Sequence, residues 1–153
     1  NKRVSSTQVR NALAEADYQW VEKLLGRPYS MKGRVVHGDK RGRQIGFPTA
    51  NIYLHRMKTP VQGVYSVRMH GIADKPLPGV ANVGIRPTIG GTRSLLEVHL
   101  FDFAKEIYGR HVRVEFCEKI RDEKRYPTLD LLIEQIGKDA AIARHYFEKR
   151  GEL

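Results

Sequence analysis

Gly63-Val64-Tyr65-Ser66-Val67-Arg68-Met69 decides the class of the fold. β-branched and aromatic residues carry this run and glycine bounds it, so it predicts a strand. The same texture extends on both sides. Downstream, Leu96, Val98 and Leu100 alternate with Leu95, Glu97, His99 and Phe101, and Val112, Val114 and Phe116 alternate with Arg113 and Glu115. A period of two puts successive side chains on opposite faces of a sheet. Upstream, Val35-Val36 follow Gly33. Turn residues mark the joints: the glycine-rich run 38–46, Pro76-Leu77-Pro78-Gly79, Gly90-Gly91 and Tyr108-Gly109. Short strands with no helices between them predict an antiparallel barrel or sandwich over residues 29–121.

Beyond both ends of this block the period changes. After Pro127, Leu129, Leu132, Ile133, Ile136, Ala140, Ala143 and Phe147 keep helical spacing, with Thr128 as N-cap, which predicts one long helix packed on the barrel. Two short helices are expected at the start. Ser5-Ser6-Thr7 caps the first; Asp17 caps the second, which runs through Trp20, Val21, Leu24 and Leu25 to Gly26 and Pro28. The 153 residues suit one compact domain. The first residue is Asn1, as expected of a piece of a longer protein.

Charge and composition narrow the function classes. Residues 1–60 hold 12 of the 27 Lys and Arg but 4 of the 17 Asp and Glu, so most of the net +10 sits there and favours polyanionic partners. A nucleic-acid-binding barrel would add exposed aromatic platforms, and residues 29–60 offer Tyr29, Phe47 and Tyr53 alone, so nucleic acid is not the expected partner. No apolar run approaches the roughly 18 residues that cross a bilayer, and no membrane role is expected. Cys117 is the single cysteine and cannot form an internal disulfide, which points to the cytoplasm and to an inert packing role. The six histidines lack metal-site spacing, so zinc is not expected.

Three places can carry chemistry. In the stretch 33–51, four glycines (33, 38, 42 and 46) interleave with Lys40, Arg41 and Arg43. Glycine lets backbone N–H groups approach a phosphate and the basic side chains neutralise it, although the glycines alone suit a plain hairpin turn better. Next comes Pro48-Thr49-Ala50-Asn51. If the chain stays extended there, Thr49 and Asn51 face the same side, and their oxygens suit a hard cation such as Mg²⁺; an Asx or Thr turn fits the residues equally. Glu97 lies between Leu96 and Val98. Such a carboxylate is either solvent-facing or a general base held on a rigid strand, and position alone favours the first.

Taken together and in order, G-x-V-x-x-G, G-R-x-x-G-F-P-T-A-N, G-V-A-N-V-G-I-R-P-T, L-E-V-H-L-F-D-F, Y-G and I-R-D-E-K-R-Y, between Leu25 and Arg144, resemble the riboflavin kinase family. The opening Ser5 to Arg10 is similar to the end of the adenylyl-transferring domain in bifunctional bacterial members. The resemblance implies a six-stranded antiparallel Greek-key barrel with a C-terminal helix, covering 26–153, with 1–25 a remnant of an upstream adenylyltransferase domain. It implies transfer of phosphate from ATP to the ribityl 5′-hydroxyl of riboflavin, giving FMN and ADP, with no FMN adenylylation by this piece alone. Glu97 becomes the catalytic base and Thr49 and Asn51 the Mg²⁺ ligands. Gly38, Arg43, Leu100, Asp102 and Tyr108 line the nucleotide site, and Arg121, Lys124 and Tyr126 meet the flavin. Members often carry a lysine near the position of Arg43, a departure that bears on its role. The basic loop 39–45 is expected to close over nucleotide, and the segment 121–126 over flavin.

Overall fold

The computed structural model describes residues 7, 8, 10, 28–37, 46–54, 59 and 61–153. The two expected N-terminal helices lie outside these residues, except that 7, 8 and 10 are helical. Gly38 and Arg43 lie outside them as well.

Six strands follow in order: β1 (Ser30–Val36), β2 (Ala50–Tyr53), β3 (Gly63–His70), β4 (Leu77–Thr88), β5 (Gly91–Leu100) and β6 (His111–Arg121), then helix α1 (Leu129–Glu148). All pairings are antiparallel, in the closed order β1-β2-β5-β4-β3-β6, with β6 returning to β1. Closure removes the exposed sheet edge that a short-stranded sheet would otherwise carry. β3, β4 and β5 are joined as hairpins, whereas β2 to β3 and β5 to β6 connect strands that are not neighbours, which makes the barrel a Greek key.

The alternation seen in the sequence is the division between inside and outside. Ile52, Tyr65, Val67, Val83, Leu96, Val98 and Val114 point inward and are almost completely buried in the barrel core. On the outer wall Val64, Val80 and Phe101 form a second cluster with Ala140, Ala143 and Phe147 of α1. The two alanines bring the helix close to the sheet and Phe147 fills the remaining gap. Thr128 caps α1, its hydroxyl accepting from Leu131 N at 3.2 Å. Beyond the helix, Gly151 takes a φ of 71° and turns the chain back. Glu152 then receives two bonds from Arg68, at 2.7 and 2.8 Å, and Arg68 also reaches Glu115 at 2.6 Å.

Three features differ from the expectation. Leu77 to Gly79 begin β4 instead of forming a turn, because Pro78 needs no N–H partner and its carbonyl still accepts from Phe101 N at 3.0 Å. Leu129, expected on the contact face of α1, is exposed. The register of β6 against β3 skips Cys117 and Ile120, and both residues pack against the outer cluster beneath α1. There, burial pushes the Cys117 thiol up to about 12, so little thiolate is present at neutral pH.

Candidate functional site

Strand pairing lines up one row of outward-facing residues across five strands. Asn51 on β2 lies opposite Glu97 on β5, Glu97 opposite Asn82 on β4, Asn82 opposite Val64 on β3, and Val64 opposite Arg121 on β6. Their inward neighbours Ile52, Leu96 and Val83 sit in the core and hold this register, since a slip of one residue would turn every core side chain outward. A cavity of about 260 Å³ between the barrel wall and α1 is lined by the row from Glu97 to Arg121 but not by Asn51. Thr49, Asn82, Arg86, Glu97 and His99 give it a polar side; Tyr126, Leu132 and Ile136 give it an apolar one.

Two of these polar groups, Glu97 and His99, are held by neighbouring elements. Glu97 accepts from Arg86 Nη2 at 2.9 Å. Asn51 is buried beside it. His99 Nδ1 donates to the carbonyl of Pro48 at 2.8 Å, and Phe47 stands edge-on to the same ring, which pins the chain leading into Thr49. Thr49 to Asn51 therefore run in or beside a paired strand instead of closing a local turn.

The flavin candidates Arg121, Lys124 and Tyr126 all line the cavity. Arg121 Nε and Nη2 donate to Asp139, whose carboxylate is buried in α1 and also accepts from Gln135. Burial alone would depress the Arg121 guanidinium, but the Asp139 bonds and charge outweigh it and its pKa is raised. Arg121 and Lys124 both lie over the Tyr126 ring, at 5.6 and 5.8 Å from its centre. Glu123 rests its carboxylate on Gly84, where any side chain would collide with it.

The nucleotide candidates among the described residues occupy a different region, the end of β5 and the β5–β6 connection, and none lines the cavity. Leu100 has its side chain in the barrel core. Asp102 adopts a φ of 52° and is held below the usual carboxylate range by its hydrogen bond and ion pair with Arg144. Tyr108 stacks on His37, with ring centres 3.6 Å apart, and Gly109 N donates to Val35 O at 2.8 Å. His37 immediately precedes the glycine-rich loop. No cluster of three His, Cys, Asp or Glu suited to a metal occurs among the described residues.

Sequence reading overlooked Asn82, Arg86, His99, Glu123 and Asp139. Asn82 carried a readable signal, a polar residue at an outward position of an apolar run, as Glu97 did. Arg86 and Glu123 carried none, since charged residues near strand ends ordinarily face water.

A family model described as riboflavin kinase matches residues 25–147. The chain belongs to the riboflavin kinase family. The bifunctional riboflavin kinase/FMN adenylyltransferase of Escherichia coli K12 is 54% identical to it over 145 residues, covering 95% of this chain and 46% of that protein. The chain thus spans about half the length of the curated relatives it matches. A solved Streptococcus pneumoniae structure described as a macrolide-efflux protein is 38% identical, with a TM-score of 0.82 over 92% of this chain and 46% of that one. Among the described residues no helix is long and apolar enough to cross a membrane. Riboflavin kinase from Trypanosoma brucei, at 24% identity and a TM-score of 0.54, covers 80% of this chain and 81% of its own and shares the barrel fold.

Proposed function

We propose that this kinase-family chain transfers the γ-phosphoryl group of ATP to the ribityl 5′-hydroxyl of riboflavin, releasing FMN and ADP. The observation that carries the reading is the register Asn51–Glu97, which sets a buried amide beside an anchored carboxylate that lines a half-apolar cavity. Glu97 orients the hydroxyl and takes its proton; Arg121, Lys124 and Tyr126 hold the flavin against the apolar side. Gly38 and Arg43 meet the phosphates, and Asp102 and Tyr108 form the nucleotide side with the backbone of Leu100, whose side chain is in the core; the stacking of Tyr108 on His37, the residue before Gly38 in sequence, supports this. Phosphoryl transfer demands positioning and charge neutralisation more than covalent help, and this arrangement supplies both.

Mg²⁺ fits the donor chemistry: Thr49 offers a hydroxyl and Asn51 an amide oxygen on the outer face, next to a carboxylate. Bound there, the ion would offset charge on the transferring phosphoryl group. The division into an upstream remnant, 1–25, and a kinase domain, 26–153, is supported by a family match that begins at residue 25. An adenylyltransferase domain joined upstream, as the names of the relatives suggest, completes the proposal; the piece itself makes no FAD, and it works in the cytoplasm.

Incubation with riboflavin and Mg-ATP, with flavins separated by chromatography, tests the reading. FMN should accumulate in step with ADP. An unchanged riboflavin peak beside consumed ATP would contradict it.

A further inference from the structure

Asn82 has no part in the roles assigned so far, yet its place is unusual. It sits mid-strand on β4, directly opposite Glu97, and lines the cavity. Its side-chain oxygen is enclosed and has no hydrogen-bond partner among the described residues. Ser66 Oγ is the other such atom, and that residue does not line the cavity. A buried amide oxygen left unpaired costs free energy, and positions that tolerate this cost commonly serve a ligand.

Which ligand group it meets follows from position. Facing residues of antiparallel strands hold their Cβ atoms about 4.5–5.5 Å apart. If Glu97 takes the proton of the terminal hydroxyl, the oxygen beside it faces the carbons one or two positions back along the same chain. The ring belongs farther off, where Tyr126, Leu132 and Ile136 supply the apolar wall. We propose, resting on the riboflavin kinase reading above, that Asn82 Oδ1 accepts a hydrogen bond from a secondary hydroxyl of the ribityl chain. This makes Asn82 a residue that selects a polyhydroxylated acceptor over the bare flavin ring.

Riboflavin and lumiflavin share the ring system, but lumiflavin carries a methyl group in place of the ribityl chain. Binding of each to the full chain in the presence of Mg-ADP is read by quenching of flavin fluorescence, for wild type, Asn82→Ala and the similarly sized Asn82→Leu. Both variants should fold with an unchanged or raised thermal midpoint, because they remove an unpaired acceptor. Riboflavin should bind each about tenfold more weakly, the usual scale for one neutral hydrogen bond, while lumiflavin binds as before. Equal weakening of both flavins would put Asn82 on the ring or make it structural, and would overturn the proposal. So would unchanged binding of both, which is the outcome if a trapped water satisfies the oxygen, and so would failure of both variants to fold. A wild type that binds neither flavin would remove the kinase reading itself, whereas wild-type binding without the predicted difference would remove the Asn82 role alone.

Discussion

At the scale of single residues, the site rests on which outward positions of the barrel hold polar groups. Asn51 and Glu97 face each other across β2 and β5, and a neutral amide there avoids setting two carboxylates opposite one another. Asn51→Asp would create that pair. Like charges directly opposite destabilise a sheet, so the variant should lose about 0.5–1 kcal/mol without divalent cation. Mg²⁺ should restore it and should saturate the reaction at a lower concentration than in wild type. Thermal melts with and without Mg²⁺ check this, and a melt insensitive to Mg²⁺ would remove Asn51 from the metal site. Glu97 stood out in the sequence as a carboxylate interrupting L-L-E-V-H-L, but position alone favoured a solvent-facing role and only the family resemblance made it the base. The partner that orients it, Arg86, was not legible: the two lie 11 residues apart, and only the β4–β5 hairpin register brings them to 2.9 Å.

At the scale of elements, β-strands were readable where alternation ran long, as in β5 and β6, or where β-branched and aromatic residues filled a run bounded by glycine, as in β3. β2 is four residues long, and its extended course was visible only through Pro48 and the spacing of Thr49 and Asn51. The start of β4 was hidden by two prolines, which signal a turn until pairing shows that Pro78 loses nothing there. α1 was legible in type, but the use of its buried Asp139 to hold Arg121 is a tertiary fact with no local signature. The segment after β6 lies down on β4 because Gly84 leaves room for the Glu123 carboxylate. Gly84→Ala should therefore turn the Glu123 carboxylate aside and loosen its hold on the neighbouring Lys124 and Tyr126. Moving an exposed side chain costs little, so stability should fall by less than about 1 kcal/mol. The KM for riboflavin should rise about two- to threefold, roughly 0.5 kcal/mol, with the KM for ATP near wild type. Steady-state kinetics in both substrates decide the matter; equal changes in the two KM values would mean a general distortion.

At the scale of the whole molecule, the outer barrel wall presents the proposed flavin cavity beside α1 and the proposed nucleotide side along the β5–β6 connection, with Glu97 on β5 and Thr49 leading into β2. Ligands that meet across a shared row should assist each other. Mg-ADP is expected to tighten riboflavin binding by about 1–3 kcal/mol, and riboflavin to tighten Mg-ADP equally, since such coupling is reciprocal. Calorimetric titrations in both orders measure it, and equal affinities with and without the second ligand would show independent sites. The central claim is that the Glu97 carboxylate lining this cavity performs the proton transfer for riboflavin phosphorylation. Its most direct test is the rate of FMN formation by Glu97→Gln, a change that keeps shape and removes the base. The account predicts a loss of roughly a hundredfold or more in kcat with Mg-ADP affinity and fold retained. A kcat close to wild type would contradict it.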